Sequence, residues 1–159
     1  MKRYYLAYGS NLNMDQMTWR CPGARPMGTA EIADYRLLFK GSKTGSYLTI
    51  EPQEGATVPV GVWEVSADDE LRLDRYEGFP TFYYKKEVEI TYTGIKTGKK
   101  RRCQAFVYIM HEDRPCGRPS KGYVLTCLDG YRDFGFEEKY LSRAIIDSLE
   151  EMRKENNEN

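Results

Sequence analysis

The hydrophobic period of this chain changes once, and that change does most to limit its fold. Up to Met110 the apolar residues alternate or run in short blocks suited to strands, whereas after Ser120 they recur at helical steps. Strand signals fall at Tyr4 to Tyr8, Glu31 to Phe39, Tyr47 to Glu51, Val60 to Val65, Tyr83 to Tyr92 and Cys103 to Met110, bounded by turns rich in Gly, Pro, Asp and Lys. A short helix interrupts them. Ser66 is placed to cap it, Asp69 follows in capping-box position, Leu71 to Tyr76 form its body, and Gly78 ends it beside Glu77. Ser120 is placed to cap a late helix carrying Tyr123, Cys127, Tyr131 and Phe134, with a stop at Gly135. A last helix runs through Tyr140, Leu141, Ala144, Ile145, Leu149 and Met152. Strands first and helices last imply an α+β domain, a small curved mixed sheet or barrel with helices packed on one side.

The 159 residues suffice for one domain with a sizeable core, and no repeat or linker divides them. The expected domain is 1–153, followed by a polar tail, 154–159, that should fray. Twenty-four basic and twenty-four acidic side chains cancel, so no net field attracts nucleic acid or anionic lipid. The local basic run from Lys96 to Arg102 surrounds Gly98 and reads as a hairpin tip. No apolar run approaches the ~20 residues a bilayer requires, and the opening Met-Lys-Arg-Tyr-Tyr-Leu turns polar too soon for a signal peptide. A cytoplasmic protein is expected.

Several chemistries lack their parts. Cys21, Cys103, Cys116 and Cys127 form no C-x-x-C pair, and His111 is the only histidine, so no zinc set can be assembled from familiar spacings. A serine or cysteine nucleophile would depend on that one imidazole, and Gly9-Ser10 is not embedded in G-x-S-x-G. Dinucleotide and P-loop fingerprints are absent. What remains is a carboxylate acting without metal or cofactor.

Glu77 lies among aromatics where a helix ends at Gly78. If Phe79 and Phe82 shield it from water, desolvation raises its pKa and makes a general base. Acidic residues at helix ends are ordinarily solvated, so local sequence leaves both readings open. The turn Gly9-Ser10-Asn11 follows a buried strand. Its small residues allow backbone N–H groups to point outward together, which suits a carboxylate or oxyanion; a plain strand-to-helix turn is the other reading. Thirteen tyrosines are spread over nearly every element, most of them expected to pack with the hydroxyl near a partner.

Three segments, Ala7-Tyr8-Gly9-Ser10-Asn11-Leu12, Leu73-Asp74-Arg75-Tyr76-Glu77-Gly78 and Pro119-Ser120-Lys121-Gly122-Tyr123, resemble in order and approximate spacing the signature segments of γ-glutamylcyclotransferase-like proteins, including their AIG2-like and γ-glutamylamine cyclotransferase branches. Arg20-Cys21-Pro22-Gly23-Ala24 and Gly61-Val62-Trp63-Glu64-Val65 extend the likeness over nearly the whole chain. The resemblance implies the γ-glutamylcyclotransferase-like fold, a catalytic role for Glu77, and a substrate loop of Tyr8, Gly9, Ser10, Asn11 and Leu12 that holds an α-carboxylate through backbone amides. It also places Tyr83 and Tyr123 at the substrate. The implied reaction is internal aminolysis of a γ-glutamyl amide, giving 5-oxoproline and a free amine or amino acid, with no cofactor. A small γ-glutamyl molecule is the implied partner, a homodimer is left open, and neither nucleic acid nor membrane is expected. Two alternatives stand beside this: γ-glutamyl acyl-group removal or transfer on a biosynthetic intermediate, and a non-catalytic small-molecule-binding module of the same fold.

Overall fold

The structure, a computed structural model, describes residues 2–42 and 44–157. In chain order the strands are β1 (Arg3–Ala7), β2 (Arg25–Lys40), β3 (Thr44–Val65), β4 (Tyr83–Gly94), β5 (Lys100–Met110) and β6 (Arg118–Pro119). The helices are α1 (Met14–Arg20), α2 (Ala67–Glu77), α3 (Lys121–Phe134) and α4 (Lys139–Asn157), and a single 3₁₀ turn occupies Ser10–Leu12. The strands follow the order β1-β5-β4-β2-β3-β6, and an additional β1–β3 pairing joins the sheet into a closed five-stranded barrel with β6 outside it. Closure removes the exposed edges that an open sheet would present. The barrel is mixed: β1 runs parallel to β5 (Tyr4↔Ala105) and antiparallel to β3 (Ala7↔Gly61), and the hairpins β2–β3 and β4–β5 are antiparallel.

One narrow seam is β2–β4, paired through Gly28↔Gly94 and Thr29↔Thr93. A Cβ on Gly28 would lie 2.2 Å from the Thr93 carbonyl oxygen, so the two hairpins meet only because residue 28 has no side chain. Inside, Leu6, Val60, Val62, Val65, Phe106 and Trp63 are buried and form one core with the tyrosines of β1, β4 and β5.

The strand signals at Tyr47 to Glu51 and Val60 to Val65 belong to one long strand. Pro52 to Thr57, which looks like a turn, is a bulge opposite Asp34: the register passes from Tyr35↔Pro52 to Ala33↔Thr57, and the Gly55 amide donates to the Asp34 carboxylate at 3.0 Å. Helix α1 had no strong apolar period to reveal it, but its cap is legible. The Asn13 side chain accepts from the Gln16 amide at 3.1 Å. Ser66 and Ser120 cap α2 and α3 as expected, and Gly78 and Gly135 end them in the left-handed conformation. Helix α4 continues through Asn157, so residues 154–157 of the expected frayed tail are helical, while 158–159 lie outside the described residues.

Helix α4 packs on β2, where Ser148 Oγ accepts from the Phe39 amide (2.8 Å) and donates to the Ala144 carbonyl (2.6 Å). Helix α3 lies directly on the 3₁₀ turn. A Cβ on Gly130 would approach the Asn13 nitrogen to 2.6 Å and the Leu12 carbonyl carbon to 2.7 Å. Gly130→Ala should therefore force α3 off the turn and destabilise the protein by about 1–3 kcal/mol; urea unfolding of the variant against wild type measures it.

Candidate active site

β1 runs into the 3₁₀ turn beside the C-terminal end of α2, and a cavity of about 200 Å³ opens between them. Its walls include Tyr5 and Tyr8 from β1, Gly9, Ser10 and Asn11 from the turn, Glu77 from α2, Tyr83 from β4, Tyr108 from β5 and Tyr123 from α3. Elements far apart in sequence thus meet here. Every site residue expected from sequence except Leu12 lines the cavity; Leu12 is fully buried and packs beneath Gly61 and Gly130, so its part is to anchor the turn.

Among the described residues Glu77 is the one charged side chain lining the cavity. Glu77 is half-buried, and protein packed around its carboxyl group raises its pKa from 4.5 to about 8, against a smaller opposing pull from Arg20. Desolvation dominates because the guanidinium acts from a distance, through an intermediary.

That intermediary is Asn11. Its Nδ2 donates to Tyr5 Oη at 3.0 Å and to Glu77 Oε1 at 3.4 Å, while Arg20 donates to its Oδ1. A guanidinium has no acceptor, so Arg20 compels the Asn11 oxygen to face it and the amide nitrogen to face Glu77. Arg20 is itself held by Gln16 Oε1 (3.3 Å) and by stacking 3.5 Å over the Tyr76 ring. The backbone of Asn11 is pinned as well, its carbonyl accepting from Trp63 Nε1 at 3.0 Å.

The first N–H groups of a helical turn have no intrahelical acceptor, and here the Gly9 and Ser10 carbonyls receive only the later amides of Leu12 and Asn13. Tyr123 seals the far side: its Oη accepts from the Leu48 amide at 3.1 Å and would stand 3.1 Å from any Cβ at position 9. Ser10 Oγ has Tyr76 Oη as partner at 3.2 Å and no imidazole, while His111 bonds the Pro80 carbonyl outside the cavity. The thiols of Cys21, Cys116 and Cys127 are buried and pushed up to about 11, 11 and 12 by that burial. Neither nucleophilic arrangement is present among the described residues.

Burial also raises Tyr5, Tyr8, Tyr83 and Tyr123 well above the ordinary phenol range, with Glu77 adding to the effect, so all four remain protonated donors. Tyr8 Oη donates to the Tyr108 carbonyl (2.7 Å) and Tyr83 Oη to the Leu48 carbonyl (2.8 Å). Tyr5 and Tyr108 escaped sequence reasoning because Tyr4 and Phe106 beside them are equally aromatic: the register turns Tyr5 rather than Tyr4 to the cavity, and of the two rings that share a face of β5, Tyr108 is the one that reaches it. Tyr108 is braced from behind by Asp74, which accepts its hydroxyl at 2.6 Å and pairs with Lys85 at 2.8 Å.

Comparison with known proteins agrees with this geometry. Residues 5–126 match the family described as gamma-glutamyl cyclotransferase, AIG2-like. The chain belongs to that family. It is 29% identical over 153 residues to the gamma-glutamylcyclotransferase of Bos taurus, covering 92% of this chain and 78% of the relative, and 29% identical over 144 residues to that of Homo sapiens, covering 86% and 73%. Among solved structures, a gamma-glutamyl cyclotransferase superposes with a TM-score of 0.75 at 26% identity, over 91% of this chain and 86% of the other. A yeast γ-glutamyl cyclotransferase specific to glutathione shares the fold alone, with a TM-score of 0.61 at 12% identity over 95% of this chain and 96% of the other. No described helix is long and apolar enough to cross a membrane.

The raised pKa of Glu77 has a consequence for stability. In the unfolded chain its carboxyl ionises near 4.5, and in the folded protein at about 8. The folded state therefore retains the proton longer, and the associated stability is complete below about pH 4.5 and lost progressively as pH rises through about 8. Glu77→Gln accepts the same Asn11 bond without a charge to bury. Thermal unfolding should show the variant several degrees more stable than wild type at about pH 9, with the gap closing toward pH 4.5.

Proposed function

We propose that this protein is a γ-glutamyl cyclotransferase that cleaves γ-glutamyl amides by internal aminolysis, releasing 5-oxoproline and an amine or amino acid without a cofactor. The observation that carries the reading is a lone desolvated carboxyl, Glu77, facing the turn at Ser10–Leu12 across one cavity.

The substrate's α-carboxylate sits on the turn amides, where oriented N–H dipoles take the place of a positive side chain. This places the α-ammonium beside Glu77, and the adjacent positive charge favours the ionised carboxylate. Glu77 removes one proton, freeing the nitrogen to attack the γ-carbonyl, and passes it to the departing nitrogen as the C–N bond breaks. The ring nitrogen sheds a second proton as the lactam forms. Both protons end on the released amine, so Glu77 returns to its ionised form and no water is consumed. Because attack is intramolecular, holding the glutamyl chain folded can supply ~7 kcal/mol or more of the barrier reduction.

The tetrahedral intermediate needs a donor for its oxyanion. The Tyr8 and Tyr83 hydroxyl protons are directed to backbone carbonyls, whereas Tyr5 receives a bond from Asn11 and keeps its own proton for the cavity. Tyr5 is assigned that donor role. The cytoplasm, where thiols stay reduced, is the proposed compartment, in keeping with four free cysteines.

Two variants test the scheme. Glu77→Gln keeps shape and the Asn11 bond but cannot shuttle protons, so 5-oxoproline release should fall ~10²–10⁴-fold while calorimetric affinity for the same γ-glutamyl compound changes little. Near wild-type turnover by the folded variant would move the acid-base role elsewhere. Tyr5→Phe should lower kcat by about 10²-fold with KM nearly unchanged, since its donor strengthens only as the oxyanion forms. An effect confined to KM would instead make Tyr5 a ground-state contact.

A further inference from the structure

Asn11, Tyr5 and Glu77 are arranged by a side chain that does not itself line the cavity. Arg20, half-buried at the end of α1, donates to Asn11 Oδ1, and Asn11 Nδ2 reaches Tyr5 Oη at 3.0 Å and Glu77 Oε1 at 3.4 Å. The base of Arg20 is fixed against the helix that carries Glu77. Cys21, next in the chain, is fully buried and its thiol donates to the Asp69 carbonyl of α2 at 3.6 Å, while a Cβ on Gly23 would stand 2.7 Å from Asp69 Oδ2. Its guanidinium is fixed by Gln16 Oε1 and by the face of Tyr76.

The two ends of a primary amide have nearly the same shape, so packing alone does not choose between them. Turned over, Asn11 would set its oxygen toward Glu77. An ionised carboxylate has only acceptors to offer that oxygen, so the turned amide suits protonated Glu77 and opposes the ionised form. Arg20 prevents the turn, because every hydrogen-bonding group of a guanidinium is a donor. Its charge works in the same direction: among the described residues it is the one formal charge that shifts the Glu77 carboxyl, and it favours ionisation. The other groups around that carboxyl are neutral or paired. Tyr5 and Tyr8 from β1, Tyr83 from β4, Tyr108 from β5 and Tyr123 from α3 are all held above the ordinary phenol range by burial, and on α2 itself Asp74 pairs with Lys85 at 2.8 Å.

We infer that Arg20 is a positioning residue for the reaction: acting through Asn11, it keeps an amide nitrogen on Glu77 and holds that carboxyl ready to take a proton. The inference rests on the cyclotransferase reading for its effect on turnover, but the link from Arg20 to Glu77 can be measured with no substrate present.

The decisive comparison is Arg20→Gln against Arg20→Lys. Both lose the planar fork stacked on Tyr76, but Lys keeps a positive, donor-only head, whereas the Gln amide is uncharged and can meet either end of Asn11. Carbon-13 NMR of protein labelled at the glutamate carboxyls follows Glu77 directly, its resonance identified by its loss in Glu77→Gln. In wild type the carboxyl should titrate at about 8. In Arg20→Gln the midpoint should rise by about one pH unit, which lowers the ionised fraction at neutral pH roughly tenfold. Arg20→Lys should recover most of the displacement. With γ-glutamyl-alanine and γ-glutamyl-ethylamide as substrates, the rising limb of kcat/KM for 5-oxoproline release should move to higher pH in Arg20→Gln and return toward wild type in Arg20→Lys. A Glu77 midpoint unmoved in Arg20→Gln, or displaced equally in both variants, would overturn the inference and leave Arg20 a structural residue, whatever happens to turnover. A midpoint that moves as expected in a wild-type background that releases no 5-oxoproline from either compound would support the Arg20–Asn11–Glu77 link and count against the cyclotransferase reading instead.

Discussion

Everything at this site depends on keeping one carboxyl group out of water without giving it a direct ionic partner. An Arg in contact would hold Glu77 ionised and too weakly basic to take a proton from an ammonium; full exposure would do the same. The fold instead sets an uncharged amide, Asn11, between Glu77 and Arg20. The guanidinium then acts twice, by a reduced electrostatic pull and by dictating which end of the amide faces the carboxyl. A pKa of about 8 is the result of desolvation that this arrangement only partly offsets.

The barrel serves that constraint. Its closed form lets β1, β4 and β5 each turn a tyrosine toward the same space, and α3 closes the remaining side with Tyr123. Each of these rings excludes water while its hydroxyl finds a partner, so the wall is dry without burying unsatisfied oxygen. The turn is held from below by α3 at Gly130 and from the side by Trp63.

A general acid-base, a set of backbone donors and a preorganised cavity are enough for a reaction whose nucleophile is carried by the substrate. The structure accordingly invests its polar contacts in the floor of the cavity. At the mouth the contacts are aromatic, Tyr47 standing edge-on to Phe82 and to Tyr123.

Much of this was legible in the sequence. Alternation and helical periods gave the α+β class, Ser66, Ser120, Gly78 and Gly135 marked real helix ends, and the segments at Tyr8 to Leu12, Glu77 and Tyr123 pointed to residues that the fold does bring together. Local signals sufficed there because caps and turns are made by neighbours in the chain. Closure of the barrel was not legible, since it depends on the non-local β1–β3 and β2–β4 pairings and on a Gly28 whose need becomes visible only with Thr93 against it. Nor could sequence choose Tyr5 over Tyr4 or Tyr108 over Phe106, because both members of each pair are aromatic: register decides the first, and the position along a shared face of β5 decides the second. The sequence by itself determined that a carboxylate and a small-residue turn were available; the tertiary structure alone decided that the carboxylate would be dry, because desolvation is the work of side chains from strands and helices far apart along the chain.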